Sequence, residues 1–309
     1  MKREILNINV TLGPLRYQMQ AHDNWAAGLL SRLAEHVDCR NFSSTAQRQI
    51  HIVKQRVTNN SIESGVLPLE LAELITEELP VRGWQITGDD ILHLTWRHAD
   101  THHSFWTGSR EESAAPLTFQ SPFQLPMDLI FHDIIQLGGC IVHGGLAVYR
   151  DQGIMLTAPP GGGKTTAFST TPEYWHLKSD DATLVWPERN GSFRISPLPT
   201  WSVLLGVNPQ LERIGQWQVG IDYPLEMVLF LHKADAIALN RQRPLDAAFP
   251  LYRAFSEYPT AIMGRAPYRC DLFRAASALA RTVPTWSLQL PRKNNFWPYL
   301  EEELARGGA

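Results

Sequence analysis

Cysteine is scarce in this chain: three in 309 residues, Cys39, Cys140 and Cys270, odd in number and far apart. No disulfide framework and no CxxC zinc pair can be assembled from them, which favours a reducing compartment. Charge of one sign is scarce too. The net charge is −3, without a long run of like charge, and this argues against a nucleic-acid or membrane-surface binder, because both need a concentrated basic face. No apolar run approaches the ~20 residues that a transmembrane helix requires. Met1–Ile5 leads into an alternating strand pattern and not into an apolar signal core, so the expected location is cytoplasmic. Internal repeats and low-complexity segments are missing, as are the G-x-S-x-G, HExxH and Cys-His hydrolase constellations.

What is present is ordinary globular material, 44% hydrophobic and 19% charged, long enough for one large domain or two smaller ones. Ile8 and Val10 before Gly13-Pro14, with Leu15 and Tyr17 after it, read as strand, turn and strand. Asp23 is placed to cap a helix that carries Trp25, Leu29, Leu30 and Leu33 at helical spacing. Pro68–Glu78 reads as a short helix, and Trp84–Ile86 and Ile91–Trp96 as a hairpin. The polar segment Ser109–Pro116 marks a boundary. Residues 1–115 form an expected α+β N-terminal domain, open to substrate or partner binding, and residues 116–309 an α/β domain with a mixed sheet. In the second part, Met127 to Leu137 reads as a helix stopped by Gly138-Gly139. Cys140–Tyr149 and Gly153–Thr157 follow as strands, Cys270–Arg281 as a helix, Thr285–Leu290 as a strand and Trp297–Ala305 as a closing helix.

The strongest chemical signal is Ile154-Met155-Leu156-Thr157-Ala158-Pro159-Pro160-Gly161-Gly162-Gly163-Lys164-Thr165-Thr166. A phosphate-binding P-loop needs a buried strand, then small residues whose N–H groups turn inward around phosphate oxygens. It also needs a lysine for the β/γ-phosphates and a hydroxyl for Mg²⁺ at the start of a helix. All occur here in order. Pro160, Gly161, Gly162, Gly163, Lys164, Thr165 and Thr166 are the candidate nucleotide-binding set. Ala158 stands where the pattern has its first glycine, which a negative φ would accommodate.

A second element, Ser179-Asp180-Asp181-Ala182, puts adjacent carboxylates at the mouth of a new strand soon after Lys164. Phosphoryl transfer to an alcohol needs an acidic group to hold Mg²⁺ and another to orient or deprotonate the hydroxyl. Asp180 and Asp181 can divide these tasks, and the sequence does not say which takes which. Thr165, Asp180 and Asp181 are therefore the candidate metal ligands.

Taken together, the helix before Cys140, the strand Cys140-Ile141-Val142-His143-Gly144-Gly145, the Gly-Gly-Gly-Lys-Thr-Thr loop and Ser179-Asp180-Asp181 resemble the nucleotide-binding domain of HPr kinase/phosphorylase. That is a fold of the phosphoenolpyruvate carboxykinase type. The resemblance implies an HPr kinase-like P-loop domain using ATP and Mg²⁺, and it makes His143 an active-site residue beside Lys164, Asp180 and Asp181. Ser196-Pro197-Leu198-Pro199-Thr200-Trp201, Val283-Pro284-Thr285-Trp286 and Phe296-Trp297 are similar to the divergent branch found in peptide-maturation cassettes, the SynChlorMet cassette protein among them. Against true HPr kinases, Arg194–Leu205 contains no Glu or Asp where a further metal-ligating glutamate belongs, and the C-terminal basic signature is missing.

The function implied is ATP-dependent phosphorylation of a Ser or Thr hydroxyl on a peptide or small protein. Two alternatives stay open: a nucleotide-binding partner that presents a precursor peptide to other enzymes, and a small-molecule kinase or ATPase. Oligomeric state is open as well. His98-Ala99-Asp100-Thr101-His102-His103 carries metal-capable side chains but reads as a loop between strands. Trp201, Trp286 and Trp297 read as core in preference to the lining of a peptide or nucleotide groove, and Arg265 as a solvated loop residue.

Overall fold

In a computed structural model, the described residues are 6–36, 48–53, 73–74, 79, 82, 84–87, 93–97, 103–108, 130–159, 161–198, 220–257, 268–291 and 295–307. The chain divides into two compact units. One runs from Met1 to Ile130 and includes Thr260–Gly264; the other comprises Phe131–Pro259 and Arg265–Ala309.

The first unit is an α+β arrangement. Strands β1 (Leu6–Leu12) and β2 (Leu15–Ala21) form the hairpin expected around Gly13, whose φ of 55° is left-handed. Burial alternates along both strands, so one face is a core face. Helix α1 (Asn24–His36) starts where Asp23 predicts: its Oδ1 accepts the Ala26 N–H at 2.8 Å, satisfying one of the donors a helix start leaves orphaned. Strand β3 (Arg48–Val53) pairs in parallel with β2, and β4 (Gln85–Thr87), β5 (His93–Arg97) and β6 (His103–Gly108) complete a six-stranded sheet in the order β1-β2-β3-β6-β5-β4. β4 and β5 are antiparallel, as expected of a hairpin. The turn between them lies outside the described residues, as do the segment read as a helix at 68–78 (apart from a turn at 73–74), residues 98–102, Trp201 and Arg265.

His103 is therefore a strand residue, and not part of a loop. It ends a line of three buried imidazoles: His22 Nε2 lies 3.0 Å from His51 Nδ1, and His51 Nε2 lies 2.8 Å from His103 Nδ1. A neutral imidazole has one donor and one acceptor, so three neutral rings satisfy the line in either tautomeric direction. A protonated His51 could still donate to both neighbours, so it is the burial of the charge, not a missing acceptor, that opposes its protonation. Burial, then the neighbouring His22 and His103, lower its pKa to about 3, and burial lowers that of His22, partly offset by Asp23.

The second unit is an α/β arrangement on a mixed sheet. Residues 130–136 form helix α2, which stops at Gly138, φ 77°. Strand β7 (Cys140–Tyr149) runs antiparallel to β8 (Gln152–Thr157) through a tight turn in which Arg150 and Asp151 have φ of 49° and 60°. Helix α3 (Lys164–Ser169) follows the glycine loop, and then come β9 (His176–Ser179), β10 (Ala182–Pro187), β11 (Phe193–Pro197), β12 (Tyr223–Lys233) and β13 (Ala238–Arg241). Helices α4 (Pro244–Glu257) and α5 (Arg269–Thr282), strand β14 (Thr285–Leu290) and helix α6 (Trp297–Gly307) close the chain. The sheet order is β11-β10-β7-β8-β12-β14-β13, with β9 also on β7. β8, β12 and β14 are mutually parallel at its centre. β8 and the later part of β12 read as near-continuous apolar runs, as strands covered on both faces do, while β14 alternates apolar and polar residues.

One face packs Ile154, Leu156, Met227, Leu229 and Leu231 against Phe168, Trp175, Phe296, Trp297 and Leu300. Trp297 is fully buried, in line with its reading as core. Helix α4 was not legible in advance. Pro250 interrupts its pattern and removes one backbone donor, although Pro244 and Asp246 are ordinary first-turn residues.

The histidine line gives the first unit a pH-dependent stability with a definite sign. The His51 pKa is lowered by folding, so its stabilising contribution is complete above about pH 6.5. It declines as pH falls from there towards about 3, by up to about 1.4 kcal/mol per pH unit per proton taken up only by the unfolded chain. Pulse proteolysis in urea, reading fragments from residues 6–53 by mass spectrometry, should show a midpoint that drops between pH 6.5 and 5. His51→Gln should flatten that drop.

Candidate functional site

The site is assembled by the way two strands share one edge of β7. β10 pairs with the start of β7, with Ala182 opposite His143, and β9 pairs with its later half, with Ser179 opposite Leu146. Asp180 and Asp181 occupy the jog between these two ladders. The Gly144 N–H donates to the Asp181 carbonyl at 3.0 Å, and the buried Ser179 hydroxyl donates across the jog to the Ala182 carbonyl at 2.5 Å. The aspartate pair is thus placed by main-chain bonds before its side chains do anything.

On its other edge, β7 sets Gly144 opposite Thr157, the last residue of β8, and the Thr157 hydroxyl donates to the His143 carbonyl at 3.1 Å. Immediately after Thr157 the chain enters the glycine loop. Ala158 is buried and keeps a negative φ, so it fits without glycine. Gly161 and Gly163 have φ of 71° and 109°, with open space where a Cβ would stand. Backbone conformation, not crowding, demands glycine at both. Gly162 differs, because a Cβ there would meet Ala158 Cβ at 2.7 Å. Its N–H already donates to the Pro159 carbonyl at 2.8 Å, which narrows the amides expected to face a ligand to those of its neighbours. Pro160 lies outside the described residues.

Gly163 is the N-cap of α3, whose first main-chain bond of the α type runs from the Ala167 N–H to the Gly163 carbonyl at 2.9 Å. The amides of Lys164, Thr165 and Thr166 precede that bond and have no partner within the helix. Thr165 and Thr166 are exposed. The helix is short because Thr170 and Thr171 turn their hydroxyls onto the Ala167 and Phe168 carbonyls, at 2.9 and 2.7 Å, and Pro172 follows. It is anchored through Phe168, which fills the space a side chain at position 145 would need: a Cβ on Gly145 would stand 2.1 Å from Phe168 Cζ.

Four of the sequence-predicted residues, His143, Lys164, Asp180 and Asp181, lie close enough for their charges to act on one another. His143 Nε2 is 3.2 Å from Asp181 Oδ1, with a quarter of the histidine side chain exposed. Burial lowers the His143 pKa; Asp181 opposes this, Lys164 reinforces it, and Glu257 and Asp180 oppose it. A neutral His143 donating from Nε2 to the carboxylate fits this balance. The Lys164 ammonium donates to the Ala158 carbonyl at 3.0 Å. Burial lowers its pKa, against the pull of Asp181, Glu257 and Asp180.

Glu257, the last residue of α4, is the site residue that sequence reasoning missed. It is paired with Arg253 at 3.0 Å and lines a 370 Å³ cavity beside Thr157, Ala158 and Pro159. A second cavity, 520 Å³, opens between Gly162, Gly163, Thr166 and Thr170 on one side and Lys233, Asp235, Leu290 and Phe296 on the other.

Among the described residues no group of three or more His, Cys, Asp or Glu is arranged to hold a metal. A hydroxyl and two carboxylates, from Thr165, Asp180 and Asp181, are nonetheless the hard oxygen donors Mg²⁺ takes. That ion commonly completes its shell with water and phosphate instead of protein.

Two outcomes check this geometry. Gly145→Ala should destabilise the fold by about 1–3 kcal/mol through overpacking, and combining it with Phe168→Leu should cost less than the two changes separately, both read as urea midpoints. Asp181→Asn removes the anion that most favours protonated His143, so the ring should titrate at lower pH than in the wild type, followed by NMR of its Cε1 proton.

Comparison with known proteins adds three findings. The HPr(Ser) kinase/phosphatase from Coxiella burnetii is similar at 14% identity and a TM-score of 0.28, covering 54% of this chain and 95% of that one. No curated protein matches the chain. The profile of the family described as SynChlorMet cassette protein ScmC matches residues 122–305, well over half of the sequence and nearly all of the second unit. The chain belongs to the SynChlorMet cassette protein ScmC family.

Proposed function

We propose that this protein transfers the γ-phosphate of a Mg²⁺-bound nucleoside triphosphate, ATP in the sequence reading, to a Ser or Thr hydroxyl of a peptide or small protein. The observation that carries the proposal is the meeting of Lys164 with His143 and the Asp180-Asp181 pair at the end of β8, where left-handed Gly161 and Gly163 lead into α3. In parallel-sheet proteins, ligands bind outside the carboxyl ends of the strands, and that is where all these residues stand.

In this reading the amides of Gly163, Lys164, Thr165 and Thr166 and the Lys164 ammonium surround the phosphates. Thr165 and one aspartate would hold Mg²⁺, which when bound would offset the charge that develops on the transferring phosphoryl group. The other aspartate accepts the acceptor's hydroxyl proton. An oxygen–phosphorus bond forms to that hydroxyl while the bridge to the β-phosphate breaks, and the nucleoside diphosphate departs with its electron pair. His143, hydrogen-bonded to Asp181, fixes that carboxylate's direction. The peptide acceptor rests on the resemblance to peptide-maturation cassette proteins, and a cytoplasmic setting on the composition. Among the described residues no helix is long and apolar enough to cross a membrane.

Titrating Mg-ATP into the wild type by calorimetry should give saturable, Mg²⁺-dependent heat, weakened at least tenfold in Lys164→Ala. No binding of either ATP or GTP by a well-folded wild type would refute the proposal. Binding without ADP formation in the presence of a cognate peptide would replace it with the presenting-partner reading, and ADP formation without any peptide with the ATPase reading.

A further inference from the structure

The phosphate-facing residues say nothing about the base, but the 520 Å³ cavity does. Its size suits a nucleoside, since small-molecule sites span roughly 300–1,000 Å³. It begins at Gly162, Gly163 and Thr166 and continues along α3 to Ala167 and Thr170, away from Thr157 and the cavity that Glu257 lines. Its apolar wall comes from Leu290, Pro291 and Phe296. Its far rim is Lys233-Ala234-Asp235, where β12 ends beside the glycine-loop strand β8. The Ala234 N–H donates to the Leu290 carbonyl at 3.0 Å, which fixes the turn. Lys233 and Asp235 are exposed, and neither forms an ion pair with a described residue.

An ammonium and a carboxylate two residues apart on a fixed turn offer a particular hydrogen-bonding pattern. The carboxylate has two acceptor oxygens and no donor, and the ammonium has donors only. Guanine matches both: its N1–H and N2–H donate side by side, a bidentate fit to a carboxylate, and its O6 accepts. Adenine presents one amino group next to an acceptor nitrogen, and would leave one carboxylate oxygen facing a lone pair. The geometry points to this cavity as a purine-nucleoside subsite in which Asp235 and Lys233 read the base edge and favour guanine, so that GTP is the better phosphate donor. The inference rests on the proposed phosphate site and specifies what that site leaves open.

The test is calorimetry on the full chain with Mg²⁺ complexes of GTP, ATP and xanthosine triphosphate (XTP), for wild type, Asp235→Asn and Lys233→Met. The wild type should bind GTP at least tenfold more tightly than ATP, the scale of losing one partner at a site built for hydrogen bonds. Asp235→Asn should weaken GTP at least tenfold, leave ATP within about threefold, and strengthen XTP, whose C2 carbonyl accepts from the new amide. Lys233→Met should narrow the preference for GTP. Both side chains lie on an exposed turn, so thermal melts should match the wild type.

Equal GTP and ATP affinities, unmoved by Asp235→Asn, would overturn the base reading while leaving the phosphate site standing. Equal weakening of all three nucleotides by Asp235→Asn would also overturn it, and would place the carboxylate on the ribose. Failure of the wild type to bind any nucleotide would remove both the phosphate site and the inference built on it.

Discussion

The hydrogen bond from the Gly144 N–H to the Asp181 carbonyl organises the second unit's chemistry. It sits where the ladder from β7 to β10 gives way to the ladder from β7 to β9. A strand edge can pair continuously with one partner only, so a change of partner leaves a short stretch of chain displaced. Here that stretch is Asp180-Asp181. Two carboxylates side by side repel each other and favour solvent; a main-chain anchor holds them near Lys164 instead. The small residue at 145 follows from the same arrangement, because Phe168 and the Ser179 carbonyl take the volume a side chain there would need, whereas at 144 a Cβ would press on the Leu156 carbonyl of β8.

The surroundings serve the loop in a graded way. Its strand is covered on both faces, and its glycines are set by conformation at 161 and 163 and by crowding at 162. Its helix is tied from behind. Trp297 Nε1 donates to Thr170 Oγ1 at 3.4 Å, and Glu301 accepts from both Trp175 Nε1 and the Tyr174 hydroxyl at 3.0 Å. Helix α6, far away in sequence, is thereby part of the loop's support. That accounts for aromatic residues clustering near the end of the chain without requiring them to touch a ligand.

Much of this was legible from residues alone, and the reason is local. The hairpin at Gly13, the Asp23 cap, the strand-loop-helix around Lys164 and the strand after Asp181 each depend on a few neighbouring residues whose preferences agree. What stayed hidden depends on tertiary context. Glu257 stands 93 positions after Lys164 in the numbering, on a helix whose internal proline masks its periodicity, so no spacing rule joins the two. The histidine line joins β3 and β6 to the residue that follows β2, and His103 reads as part of a loop because it adjoins the mostly polar run His98-Ala99-Asp100-Thr101-His102. Lys233 and Asp235 look like ordinary turn residues until the cavity that both of them line is seen.

The turn at Arg150 and Asp151 has a role out of proportion to its size. Two consecutive non-glycine residues with positive φ form a strained corner, one that glycine or asparagine would occupy more cheaply. The Arg150 guanidinium lies over the Tyr149 ring, 5.0 Å from its centre, and steadies it. A sheet has a parity: adjacent positions belong to opposite faces, and sliding one strand by a single residue exchanges them. This corner fixes the parity of β7 against β8, and with it the side of the sheet on which His143 meets the residues around Lys164. A one-residue slip of β7 against β8 at this corner would put the imidazole and the ammonium on opposite faces, as two sound halves of a site that no longer meet.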